Sequence, residues 1–301
     1  MSFQAVIVGV DGSPESAAAA RFGYTLASQF GVPCRLAHAV PEYWSAMPPE
    51  LGFNTQALDE RSVEQARRLI MGSLESSVPQ SLIDTLEGQV GHCPIVLARV
   101  AAAHDAGVIV MGGKRRRGLA RLAGSAINQL VRLGELPVLA HDGRATPIRK
   151  ILAAVDLTQS ARGTIASAES WAEKLGAQVR VLHVVEPLPV VPGVKIQVPE
   201  DQVYRSTHRH AERELQPFLG RADTGLVIRR GRSVAGIVTE AREWGADLIV
   251  TSSHGKNWMD RLVIGSTSER LLHVLPAPVM VLPVVHAVRP REAVAAAMAM
   301  T

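Results

Sequence analysis

The chain repeats itself, and the repeat constrains it more than any other feature. "AVIVGVDGS" at 5–13 returns as "KILAAVDLT" at 150–158, and "CRLAHAVPE" at 34–42 returns as "VRVLHVVEP" at 179–187. Asp11 and Asp156 stand 145 residues apart, as do His38 and His183. Further along, "GVIVMGGK" matches "DLIVTSSHG", and "GSAINQLVRLGELPVLA" matches "GSTSERLLHVLPAPVMV". Here the spacing is 141, both from Gly124 to Gly265 and from Pro137 to Pro278. The change of offset means that the second copy lacks about four residues midway. A period this long is a duplicated domain and not a solenoid repeat. A chain of 301 residues accommodates two such units. The expected division is 1–146, 147–285 and a tail at 286–301.

Within each copy, strand and helix signals alternate. In the first, "AVIVGV" is a short apolar run suited to a buried parallel strand. Ser13-Pro14-Glu15 then reads as a helix start, with a Ser N-cap and Pro in the first turn. An Ala-rich helix to about Phe30 follows, then strand "CRLAHAV", a loop to about 56 and a polar helix over 57–76. Strand "LIDTLE", a helix over 93–105, strand "GVIVM", a helix over 124–133 and strand "PVLA" complete the copy. The second copy repeats the order. This alternation predicts an α/β fold: two tandem five-stranded parallel sheets, each flanked by helices, of Rossmann-like design. Ligands of such sheets sit at the carboxyl ends of the strands.

Composition removes several functional classes. Hydrophobic residues make up 47% and charged residues 20%, the balance of a globular protein. A net charge of +4 is mild, and aromatics are only 4%, too few for the stacking surface of a single-strand binder. Nucleic acid is therefore not the expected partner. The one dense basic run, "KRRRGLAR" at 114–121, reads as a solvated loop or a polyanion contact. Cys34 and Cys93 make no disulfide framework and are expected to be reduced. No stretch approaches the roughly 18 apolar residues of a membrane span, so no membrane insertion is expected. The start, "MSFQAVIVGVDG", enters a strand directly, which points to a cytoplasmic protein.

Four places carry candidate chemistry. From Gly255 to Gly265-Ser266, a loop leads from a buried strand into a helix, whose free N–H groups and dipole favour an anion. Glycine at 265 allows close backbone approach and tolerates positive φ. The loop is too long for a Walker A turn, and the chain contains no G-x-x-x-x-G-K-[ST]. Asp11 and Asp156, each closing a first strand, suit either a nucleoside contact or a helix cap. His38 and His183 lie inside strands and read as packed, hydrogen-bonded residues. His208 and His210 are two apart on a helix, point different ways and read as surface residues. No nucleophile–base–acid set emerges for catalysis.

Together these features are specific. A first strand ending in Asp, a second reading "LHVVEP", a fourth reading "ADLIVTSSHG", then a Gly-Ser helix and "PAPVMVLP", resemble the universal stress protein family, and the resemblance spans both copies. It implies five-stranded parallel sheets. It also implies, in many members, an adenine nucleotide held by Gly-x₂-Gly-x₉-Gly-[Ser/Thr] as a regulatory ligand, with slow or no hydrolysis. Carried over to the second copy, Asp156 meets adenine or ribose and Val184 offers backbone to the base. Gly255, Gly265 and Ser266 hold phosphates, with His254, Thr267 and Ser268 close by. Ser252 stands where the first Gly belongs, and its Cβ would crowd the phosphates. In the first copy Asp11, Gly124 and Ser125 persist, and with Gly113 they form the weaker candidate set. Counting back from Gly124, however, puts Lys114 and Met111 at the Gly positions, with Gly112 and Gly113 out of register.

The resemblance thus implies ATP, with or without Mg2+, bound mainly by the second copy, and a first copy serving as structural partner. The alternative is an interaction scaffold that binds no ATP, or another small ligand, in the same crevices. "DGSPES" bears only a faint likeness to the phosphate loop of pyrophosphatases of the same superfamily, without their catalytic set, so no enzyme is expected. The last strands, 137–140 and 278–283, would be apolar edges if left uncovered, so the two copies are expected to pack through them as a pseudo-twofold pair. A homodimer of such tandems is a further expected assembly, and the tail is expected to add little to the fold.

Overall fold

The computed structural model describes residues 4–43, 54–113, 126–134, 136–143, 147–187, 199–253 and 264–283. The first half runs β1 (Ala5–Gly9), α1 (Pro14–Phe30), β2 (Cys34–Val40), α2 (Thr55–Leu74), α3 (Gln80–Ile83) and β3 (Glu87–Val90). It continues α4 (Cys93–Ala103), β4 (Ala106–Gly112), α5 (Ala126–Leu133) and β5 (Val138–His141). The second half runs β6 (Lys150–Ala154), α6 (Ser160–Leu175), β7 (Gln178–Val185), α7 (Glu200–Leu215) and β8 (Gly225–Arg230). It ends with α8 (Ser233–Trp244), β9 (Leu248–Ser252), α9 (Ser266–Val274) and β10 (Val279–Leu282).

The expected pair of five-stranded sheets is a single ten-stranded sheet, in the order β3-β2-β1-β4-β5-β10-β9-β6-β7-β8. Every pairing is parallel except the central one, β5 with β10, which is antiparallel with Leu139 opposite Met280. The two apolar last strands cover each other, and the sheet order reads the same from either end. Side chains alternate between two buried faces, as a parallel sheet covered on both sides requires. Val6, Val8, Leu139, Met280, Ile151 and Val250 share one face; Ile7, Ile109, Val138, Leu152, Ile249 and Val281 share the other. Both clusters run through the seam. On the first face the Phe30 and Trp171 rings, one from α1 and one from α6, lie 5.0 Å apart.

Local signals were mostly reliable. Ser13 caps α1, its side chain accepting from the Ser16 N–H, with Pro14 opening the helix. The expected strand "LIDTLE" is instead the short helix α3 followed by a turn, and the edge strand β3 begins only at Glu87. Leu82, Ile83 and Leu86 are buried, and the Thr85 hydroxyl donates to the Leu82 carbonyl while accepting the Leu36 N–H. Apolar content over so short a run reports burial and not period.

Both cysteines are free thiols. Burial pushes Cys34 up to about 12. Cys93 is also raised, by burial and then by the charge of Asp11. At pH 8 iodoacetamide should leave Cys34 unmodified in the native protein and label Cys93 far more slowly than a free thiol. Mass analysis before and after unfolding checks this. Among the described residues no helix is long and apolar enough to cross a membrane.

Candidate functional site

The repeated elements place equivalent residues at two sites, one at the carboxyl end of each half-sheet. In the second half, β6 ends in the loop carrying Asp156. One carboxylate oxygen accepts from the Thr158 N–H at 3.0 Å and from the Thr158 hydroxyl at 2.5 Å. The Thr158 hydroxyl lies 2.9 Å from the Ser160 hydroxyl, and Ser160 lies 3.1 Å from the hydroxyl of Ser252 at the end of β9. Four side chains thus link the β6–α6 turn to the neighbouring strand. His183 on β7 bonds the Val155 carbonyl at 2.9 Å, just ahead of Asp156, which is the packed role expected of it. Val184 is buried, one position past His183 and beyond the last β6–β7 register pair.

The helix α9 opens on the same strand end. The Gly265 N–H donates to the Ser253 carbonyl at 2.7 Å, and the Ser268 hydroxyl donates to the Ser252 carbonyl at 2.7 Å. Gly265 is the N-cap, with φ −56° and ψ 136° and no side-chain cap bond. Its tolerance of positive φ is therefore not used here. Its contribution is a bare N-cap, which itself offers no capping side chain to the first-turn N–H groups at Ser266, Thr267 and Ser268. Ser268 is buried and its hydroxyl proton is spent on the strand, so its direct offer to a ligand is the backbone. His254 and Gly255 lie outside the described residues.

The first half begins alike. Asp11 accepts from the Ser13 N–H at 3.0 Å and the Ser13 hydroxyl at 2.5 Å, and His38 bonds the Val10 carbonyl at 2.7 Å. From there the halves diverge. Register pairs Gly112 with His141 and Ser252 with Leu282, which makes Gly112 the counterpart of Ser252. Counting back from Gly124 puts Met111 there; the register corrects this, since Gly112 lies twelve positions before Gly124 and Ser252 thirteen before Gly265. A Cβ added at Gly112 would lie 2.6 Å from the Glu15 carbonyl and 2.8 Å from the Ser16 nitrogen, so α1 abuts the strand end. Ile127 occupies the place of Ser268. Gly124, Ser125 and Lys114 lie outside the described residues.

A second closure comes from across the seam. Because β5 and β10 are antiparallel, the far end of α9 reaches the carboxyl end of β4. Leu275, fully buried, adopts the left-handed conformation at the α9 C-cap, with φ 43°. A Cβ added at Gly113 would meet the Leu275 side chain at 2.8 Å. The pseudo-symmetric residue at the end of α5 is Gly134, with φ 67°, which suits the turn without strain and extends no side chain. Leucine at such a φ costs about 1–3 kcal/mol, tolerated because the side chain is buried in the seam. Leu275 therefore packs over Gly113 at the end of β4, whereas Gly134 has no side chain to offer at the matching turn.

Thr158, Ser160 and Leu275 were missed from sequence. The first two are hydroxyls two and four residues past Asp156; the third breaks a repeat that has Gly at the matching position. His208 and His210 lie on α7, each facing a glutamate four residues on, at 3.7 and 3.8 Å. A groove of about 810 Å³ between α2 and β3, lined in part by Val63, Glu64 and Arg67, holds no part of the repeated constellation.

The universal stress protein family model matches residues 2–141 and again residues 147–283. A universal stress protein of Mycobacterium tuberculosis is 27% identical over 301 residues, covering 92% of this chain and 96% of that one. A solved universal stress protein from Pseudomonas aeruginosa superposes with a TM-score of 0.61 at 19% identity, covering 99% of this chain and 98% of its own. One from Archaeoglobus fulgidus gives 0.60 at 16% identity, covering 94% and 99%. The chain belongs to the universal stress protein family and carries the family's unit twice.

Proposed function

We propose that the protein is a cytoplasmic stress-response protein that binds an adenine nucleotide, ATP with or without Mg2+, as a regulatory ligand in its second half. The units of function are residues 1–146 and 147–285. The observation that carries this reading is convergence on one strand end. The hydroxyl chain from Asp156 and the Gly-capped first turn of α9 both meet β9 at Ser252 and Ser253. Phosphate oxygens suit that turn, because its N–H groups and the helix dipole point the same way. Asp156 keeps its second carboxylate oxygen for a ribose hydroxyl, and Val184 brings strand backbone alongside for a base. In the first half α1 and Leu275 crowd the matching space, which supports a structural role there.

Among the described residues the site offers donors and a carboxylate tied down by its own loop, and no base placed to activate water. Turnover is expected to be far below the roughly 1–10³ s⁻¹ of enzymes. Protein purified without added nucleotide, then denatured, should release ATP or a related adenine nucleotide detectable by mass spectrometry. Added ATP should yield phosphate only at such slow rates. Saturable, enzyme-like hydrolysis abolished by one substitution contradicts the regulatory reading. The scaffold reading, with no nucleotide bound, is favoured by one feature, the Cβ at Ser252.

A further inference from the structure

We infer that Ser252 is a positioning residue that holds the second cleft open, so that restoring glycine there weakens ATP binding instead of improving it. The change in affinity rests on nucleotide binding in the second half; the spacing does not.

The two halves provide the comparison within one molecule. At Gly112 the first turn of α1 fills the space a side chain would take, with Glu15 carbonyl atoms 2.6 Å from an added Cβ. At Ser252 that space holds a side chain, and its hydroxyl meets the Ser160 hydroxyl at 3.1 Å. A hydroxyl pair stands between β9 and α6 where strand and helix touch directly in the first half.

Counting protons gives the pair a direction. The 2.5 Å contact to Asp156 uses the single hydroxyl proton of Thr158. Ser160 must then donate to Thr158, across 2.9 Å, and Ser252 must donate to Ser160. The chain ends on a carboxyl oxygen, and hydrogen bonds in series polarise one another. Ser252 is therefore drawn toward α6, while its carbonyl holds the Ser268 hydroxyl of α9. One residue ties down the opening turns of both helices beside the strand end. A Cβ at the family's first Gly position is tolerated because its hydroxyl is anchored on the α6 side.

The test uses the full chain with Ser252→Gly, Ser252→Ala, Ser160→Ala and the Ser160→Ala/Ser252→Ala double variant. ATP affinity is measured by calorimetry, and ligand-free crystal structures are determined for wild type and Ser252→Gly. Each single variant should weaken ATP binding by about five- to tenfold, the yield of one lost hydrogen bond. The double variant should be no weaker than either alanine single, because both break the same link. In ligand-free Ser252→Gly, the Ser160 turn should close onto residue 252 as Glu15 and Ser16 close onto Gly112. ATP bound as tightly or more tightly by Ser252→Gly, additive losses in the double variant, or an unmoved α6 would each overturn the inference. If wild type takes up no ATP, the nucleotide reading falls, and the ligand-free structures alone decide the spacing.

Discussion

Replacing Met280 with Asp will destabilise the protein by roughly 4 kcal/mol or more and will bring down both halves together. Met280 is fully buried in mid-β10, opposite Leu139 in the antiparallel seam. It shares its face with the apolar side chains of Leu139, Ile151 and Val250. A charge there must be neutralised or the seam must open. Opening it uncovers β5, in which all four residues are buried, as a bare apolar edge. Scanning calorimetry should show a single shifted transition for the variant. An unshifted transition of the first half, with only the second half lost, would mean that the halves fold independently and merely touch.

The seam was legible because a repeat whose last strand is apolar needs a cover, and the other copy supplies one of matching shape. The order of strands and helices was legible for the same reason: each signal occurred twice. What escaped were the places where the copies differ. Leu275 against Gly134 is a single substitution at a C-cap, and only the antiparallel seam reveals that it lands on Gly113. The register of Gly112 is hidden in the sequence because the two copies differ by one residue between this strand end and the Gly-Ser pair. Strand "LIDTLE" failed because a buried four-residue helix and a buried strand share the same apolar content. Thr158 and Ser160 were unremarkable in sequence, since hydroxyls near a helix start are common; their role depends on the distance to Ser252. Asp11 and Asp156 carried two readings, and the structure shows both capping their own loops through Ser13 and Thr158. A carboxylate held in this way is also oriented, so capping and ligand contact are compatible.

Gly265→Val with Ser266→Ala is expected to abolish ATP binding, while Gly124→Val with Ser125→Ala leaves it nearly intact. The first pair makes a clean probe because Gly265 has φ −56° and ψ 136° and makes no side-chain cap bond. Valine accepts that backbone conformation, so the helix should keep its start. What changes is approach, because two methyl groups stand where a phosphate must come within hydrogen-bond distance of the first-turn N–H groups. Losing two charge-assisted bonds of about 1.5–3 kcal/mol each weakens binding at least a hundredfold. In the first half the same kind of change has little to remove, since α1 abuts Gly112 and Leu275 covers Gly113.

The central claim, one nucleotide site in a duplicated chain, is tested most directly by titrating ATP into the nucleotide-free wild-type protein and reading the stoichiometry by calorimetry. One ATP per chain, lost in Gly265→Val/Ser266→Ala and retained in Gly124→Val/Ser125→Ala, is the predicted result. Two per chain, equal loss from both pairs, or no heat of binding in wild type would contradict it.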